Sequence, residues 1–242
     1  MMVCSLCASA QGGRHVELPK QTAEDLIVEH SGFTLSYDIT THCPRWVAWE
    51  LTAEELNGDV PRSKDFLPDP LIPTAHRVEG TDYRGSGYDR GHMCPAADMK
   101  WSVESMRECF YMSNMCPQDR TLNGVAWERL ESACRRWANT EGSVYIVCGP
   151  IFYPDSAAVV IGPASRKIRV PDAFFKVVLS LRPGHEKAIG FIYRNDASRQ
   201  AMGEVCCSVD EVEAVTGYDF FSSIDDDLER KVESMTKLNV WK

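Results

Sequence analysis

The sequence is defined first by what it lacks. No apolar run approaches the roughly 18 residues that a membrane helix needs, so no helical span is expected in these 242 residues. No segment repeats at a fixed period and no block is of low complexity, which excludes solenoids, propellers and fibrous arrays. No linker-like stretch interrupts residues 31–242, so they are expected to fold as one domain, with residues 1–30 as a leader and polar lead-in. Basic excess is absent too: the net charge is −9, which argues against a protein whose whole surface embraces nucleic acid. Cys4 and Cys7 have a C-x-x-C spacing, but no second pair follows. A closed zinc site takes four ligands, so structural zinc is not expected.

What is present is ordinary globular composition, 44% hydrophobic and 25% charged. The charge is unevenly spread. Residues 83–136 carry eight Lys/Arg and seven Asp/Glu, so the remainder holds all of the acidic excess, much of it near the end in "EVCCSVDEVEAVTG" and "SSIDDDLER". A locally neutral or basic patch in an acidic protein can bind phosphate. The ten cysteines read mostly as small buried hydrophobes, and the adjacent Cys206 and Cys207 are poorly placed to bond to each other. The opening "MMVCSLCASAQ" has an A-x-A cleavage pattern without a charged n-region. It leans towards export, to the periplasm or outside the cell, with a cytoplasmic N-terminus as the alternative.

Patterning places the elements. "FTLSYDIT" (33–40), "RWVAWELT" (45–52), "CFYMSNM" (109–115), "SVYIVCGPIF" (143–152), "AFFKVVLSL" (173–181) and "KAIGFIYRN" (187–195) read as strands, being short and rich in β-branched and aromatic residues. Residues 102–109 suit a helix capped by Ser102, and 208–217 one with a Ser208–Glu211 capping box and a terminal Gly217. "DDDLERKVESM" reads as a last helix. The strongest helix is 123–139, where Leu130, Ala133, Cys134 and Trp137 make one apolar face. The Pro-rich segment 56–73 is a long loop, and such loops often carry function. Strands and helices are interspersed without regular βαβ alternation. The expected class is therefore α+β, a single mixed domain with a central, largely antiparallel sheet flanked by helices.

Chemistry concentrates in "YDRGHMCPAAD", residues 88–98. His92 titrates near neutrality and can take a proton from water. A neighbouring arginine lowers that pKa and keeps the ring neutral. Arg90 is such a neighbour, and Gly91 would permit a turn that brings the two together. Asp89 is expected to organise that turn and Arg90. On the strong helix Asn123, Trp127, Glu131 and Arg135 recur every four residues, close to one stripe. Asn and Glu offer oxygen ligands suited to Mg²⁺, while Arg135 after Glu131 also fits an ordinary surface ion pair. Gly124 is a poor helix former, so Asn123 is expected in the first helical turn.

"DRGHMCPAADMKWS", "YMSNMCPQ" and "LNGVAWERLE" resemble the DNA/RNA non-specific endonucleases, the ββα-metal or His-Me finger nucleases of the Serratia nuclease and endonuclease G type. "RWVAWELT", "TDYRGSGYDRGH" and "EVEAVTGYDFFSSIDDDLE" extend the resemblance to roughly residues 33–232. It implies that His92 is the general base and that Asn123 directly holds one Mg²⁺, with Mn²⁺ as a substitute. Glu131 would act on the metal through water. Arg135 and Arg90 would bind and neutralise the scissile phosphate, as would Arg62 in the long loop, and Asn114 would shape the site. Substrates would be DNA and RNA, cut with little sequence preference because none of these groups reads a base edge, and products would carry a 5′-phosphate. Several members of the family dimerise, so a homodimer is compatible with it. Cys94 and Cys116 depart from the common family pattern: they are either buried thiols or a pair whose oxidation would tune activity. Two other functions stay open: a silent binding module on the same fold, or a phosphodiesterase for small nucleotides whose cleft is narrowed by 56–73 and 154–170. Lys167 and Arg169 in the latter segment are either a phosphate track or a solvated strand edge.

Overall fold

The computed structural model describes residues 15–23 and 25–241. Cys4, Cys7 and the supposed cleavage site lie outside them. The chain folds into a seven-stranded sheet in the order β1 (Leu26–Glu29), β2 (Thr34–Asp38), β3 (Cys43–Thr52), β6 (Ser143–Ile151), β9 (Ala173–Ser180), β10 (Lys187–Arg194) and β11 (Cys206–Cys207), with every pairing antiparallel. Two small ribbons complete it: β4 (Asp89–His92) with β5 (Met115–Gln118), and β7 (Val160–Ile161) with β8 (Ile168–Arg169). The helices are α1 (Val103–Glu108), α2 (Glu128–Glu141), α3 (Met202–Val205), α4 (Val209–Thr216) and α5 (Asp226–Glu233). No helix among the described residues is long and apolar enough to cross a membrane.

Alternation along the central strands explains the layers. Val47, Trp49 and Leu51, Val144 and Ile146, Phe174 and Val178, and Ile189 and Phe191 face one core, which Trp127 just before α2 and Leu130, Cys134 and Trp137 of α2 cover. Their neighbours Trp46, Ala48, Val147, Phe175, Val177 and Ala188 face a second core, covered by Val209 and Val212 of α4, Phe220 and Phe221, and Val232 of α5. A sheet buried on both faces gives continuous apolar strands, as in β9, where all eight residues are buried. The capping expectations hold. Ser102 accepts from Ser105 N–H, Ser208 and Glu211 form a capping box, and Gly217 takes φ 74°.

Three local expectations need correction. The strand expected at 109–115 begins only at Met115, because the backbone N–H groups of Phe110, Tyr111 and Asn114 close turns onto Arg107, Glu108 and Tyr111. The lead-in is structured before residue 31: β1 extends the sheet, and Val16 is buried in the second core. Gly91 makes no turn. It lies in β4, where a Cβ would sit 2.1 Å from the Gln118 side chain. Close packing, and no special backbone angle, requires glycine there.

Candidate active site

β4, β5 and the helix that follows form one unit. Arg90 pairs with Pro117, Gly91 with Cys116 and His92 with Met115. Arg90 and His92 are two apart on an extended strand and so share a face. Both meet Phe66 of the long loop: the Arg90 guanidinium lies 4.2 Å from its ring centre, and the His92 ring lies at 5.8 Å. Phe110 packs edge-on to His92 at 4.8 Å, and Arg62 lies over Phe110 at 5.0 Å. Arg90 Nη1 donates to Gly80 O at 3.1 Å.

The helix is tied to this ribbon at its first turn. Residues Leu122–Trp127 wind as a π turn before the regular α2. Asp119 starts it, accepting Thr121 and Leu122 N–H at 2.8 and 3.1 Å. Asn123 stands in that turn, as Gly124 suggests, and its amide Nδ2 donates to Asp89 at 3.0 Å. Asp89 therefore faces the helix and orients Asn123, where organising a turn was expected of it. Trp127 Nε1 donates to His92 O at 3.4 Å. Arg62, Lys64, Arg84, Arg90, Arg120, Asp89 and Asn123 line a cavity of about 890 Å³.

His92 sits behind this wall, 7% exposed, with Nε2 buried and unpartnered. Burial first, then Arg62 and Arg90, pushes its pKa down to about 3. The ring is neutral at any ordinary pH. Glu131, on α2, is half-buried. Burial raises its pKa to about 7 against the pull of Lys176, with Asp98 adding to the rise. Lys176 on β9 is buried between Trp127 and Trp49, its Nζ 4.5 and 5.2 Å from their ring centres.

Arg135 is placed differently from expectation. It donates to the buried Asp98 at 3.0 Å and to Ser132 at 2.9 Å, and it does not line the cavity. Trp49 also donates to Asp98, at 3.2 Å. Asn114 is wholly buried; it donates to Cys94 O and Cys109 O and accepts Cys94 N–H, all at 2.8–2.9 Å, which fixes the chain where it leaves His92. Cys94 and Cys116 are both free and buried, and burial raises both pKa values. Arg169 lies over Phe152 at 4.6 Å, away from the cavity lining. Lys64, Arg84 and Arg120 were not anticipated as cavity residues; their only sequence signal is proximity to "DRGH" or to the loop. Lys176 had a clearer signal, a single charge inside an apolar strand.

Asn123 and Asp89 meet on the cavity wall and offer only oxygens to a metal, since the Asn123 amide nitrogen is already committed to Asp89. That chemistry fits a hard cation such as Mg²⁺ or Mn²⁺.

Comparisons with known proteins follow this geometry. A solved structure of EndoG in complex with EndoGI superposes with a TM-score of 0.79 at 34% identity, covering 86% of this chain and 89% of that one. The shared fold is thus that of a ββα nuclease. The family model for DNA/RNA non-specific endonucleases matches residues 13–227, and the chain belongs to that family. Mouse mitochondrial nuclease EXOG is 32% identical over 89% of this chain, and a Nostoc nuclease is 33% identical over the same share. Bovine mitochondrial endonuclease G is 40% identical over 62% of it. The chain spans 66% of the length of mouse EXOG, 80% of the Nostoc nuclease and 52% of bovine endonuclease G.

Proposed function

We propose that this protein is a metal-dependent, sugar-non-specific endonuclease that hydrolyses phosphodiester bonds of DNA and RNA. The observation that carries the reading is the meeting of Arg90 and Asn123 on one basic cavity, with His92 directly behind it. His92, held neutral, takes a proton from the attacking water. A phosphate in the cavity would offset the Arg62 and Arg90 charges that depress His92, so its basicity rises when substrate binds. Arg62 and Arg90 meet the negative charge that grows on the phosphoryl oxygens. Arg135, held by Asp98, is the third phosphate donor of this reading and needs a guanidinium edge left over from that pair. Asn123, with Glu131 acting through water, would hold Mg²⁺ or Mn²⁺, which would supply further charge neutralisation and help for the leaving 3′ oxygen. The P–O3′ bond breaks, leaving a 5′-phosphate and a 3′-hydroxyl.

The extra basic residues Lys64, Arg84 and Arg120 on the same wall favour a polymer over a small nucleotide, because they can meet flanking phosphates. For location, the relatives named mitochondrial and the eight described cysteines, all free thiols, favour a reducing organelle over export. The test is digestion of plasmid and RNA by purified protein with Mg²⁺ or with EDTA, beside Asn123→Ala. Degradation of both substrates only with metal, and its loss in the variant, is expected. Metal-independent cleavage, or none under any condition, would overturn the reading.

A further inference from the structure

The far face of the sheet holds five carboxylates that the proposed reaction does not use. Asp210 and Glu213 stand three apart on α4, and Glu229 and Glu233 four apart on α5. Each pair therefore lies on one helix face. Asp219 joins them from the intervening loop. The two helices pack on each other and on β10. Oxygens of Asp210, Glu213 and Glu233 come within 4.8 Å of one another. Glu213 is held in place by Phe220 N–H at 2.7 Å.

Glu233 is the unusual member. It is only 6% exposed, and its Oε1 is buried with no hydrogen-bond partner. Burial, then Glu213, Glu229, Asp210 and Asp219, raises its pKa to about 9. Cations are scarce there. Lys20 pairs with Asp219 at 3.1 Å and Arg230 pairs with Asp227, but among the described residues no salt bridge reaches Asp210, Glu213 or Glu233.

A buried carboxyl facing two others needs either a proton or a cation. Ca²⁺ takes oxygen ligands at about 2.3–2.6 Å, so one ion can touch oxygens up to about 5 Å apart. A set of three carboxylates, with no nitrogen or sulfur, suits a hard cation. Mg²⁺ would hold most of its waters and take few of them directly. We propose that Asp210, Glu213 and Glu233 form a second divalent-cation site, selective for Ca²⁺, that clamps α4 to α5 on the face of the sheet opposite Asn123. Its role is structural: it fixes the C-terminal helices over the second core.

The test uses full-length Asn123→Ala protein, so that the first site does not contribute. After EDTA treatment and dialysis it is titrated with CaCl₂ by calorimetry and melted with and without Ca²⁺. One saturable site and a Ca²⁺-dependent rise in melting temperature are expected. Glu233→Gln and Asp210→Asn should each weaken binding at least about tenfold and remove the rise. Asp210 is exposed, so its variant carries the test if Glu233→Gln does not fold. No uptake at millimolar Ca²⁺ would mean that a proton satisfies Glu233, and would overturn the site. Unchanged affinity in both variants would overturn it as well.

Discussion

The two faces of the sheet handle buried carboxylates in opposite ways. On the α2 face, Asp98 is met by Arg135, and Lys176 lies buried near both Asp98 and Glu131. On the α4–α5 face, burial raises Glu233 and Glu229 first and neighbouring carboxylates add to the rise, against only the weaker pull of Arg230 and Lys20 on Glu229. One face brings its own positive charge and keeps its buried carboxylates compensated. The other leaves a negative hole. Built-in compensation suits chemistry on an anion, whereas a hole suits capture of a cation.

The sharpest way to break this division is kinetic. His92→Ala should lower the rate about 10²–10⁴-fold, the usual contribution of a positioned base, while Glu233→Gln leaves it unchanged. Comparable losses in both would erase the distinction between faces. The next effect is on stability. Lys176→Met should cost about 3 kcal/mol in urea unfolding of metal-free protein at pH 8, since it removes a buried cation beside two carboxyls. The cost should shrink at pH 5, where Glu131, with its pKa near 7, carries a proton. On the other face Glu229→Gln should stabilise the protein in EDTA by up to about 1 kcal/mol, the opposite sign, by removing repulsion at a partly exposed position.

A further effect, seen only on acidification, belongs to His92. Its folded pKa of about 3 lies below the ordinary 6.5. Between those values the unfolded chain binds the extra proton, so this contribution is present above pH 6.5 and fades as pH falls towards 3. Urea unfolding of metal-free His92→Ala across that window should show a flatter dependence than the wild type. The smallest effect concerns thiols. Cys94→Ala and Cys116→Ala should leave the rate insensitive to reductant, as in the wild type, because both groups are buried and held protonated. A reductant-dependent wild-type rate would show that thiol oxidation matters after all.

Much of this was legible in the sequence for physical reasons. Long strands such as 143–152 and 173–181 carry dense β-branched patterning, and their observed limits differ by a residue. The helix around Glu131 showed its apolar face. The fold class followed from the lack of βαβ alternation. What could not be read were contacts set by distant chain. Gly91 is explained by Gln118, 27 positions along. Arg135 is explained by Asp98, 37 positions back. The two-residue strands β7, β8 and β11 exist only because a neighbour supplies their hydrogen bonds. Phe66 carried no signal of its own in the loop 56–73, yet it lines the cavity and lies against both Arg90 and His92.

The π turn at Leu122–Trp127 sets an angle. Asn123 and Glu131 are eight residues apart, which in an unbroken α-helix is about 800°, some 80° past two full revolutions. A wider i→i+5 turn advances less per residue, so the accumulated rotation falls back towards a whole number of revolutions. The amide and the carboxylate are thereby indexed to the same meridian of the helix. Straightening that turn with every residue retained would swing one oxygen donor some 80° away from the other, as a gear slipped by one tooth keeps all its teeth and loses its timing, whereas deleting Gly124 as well would leave seven residues, about 700°, and bring the two back into line.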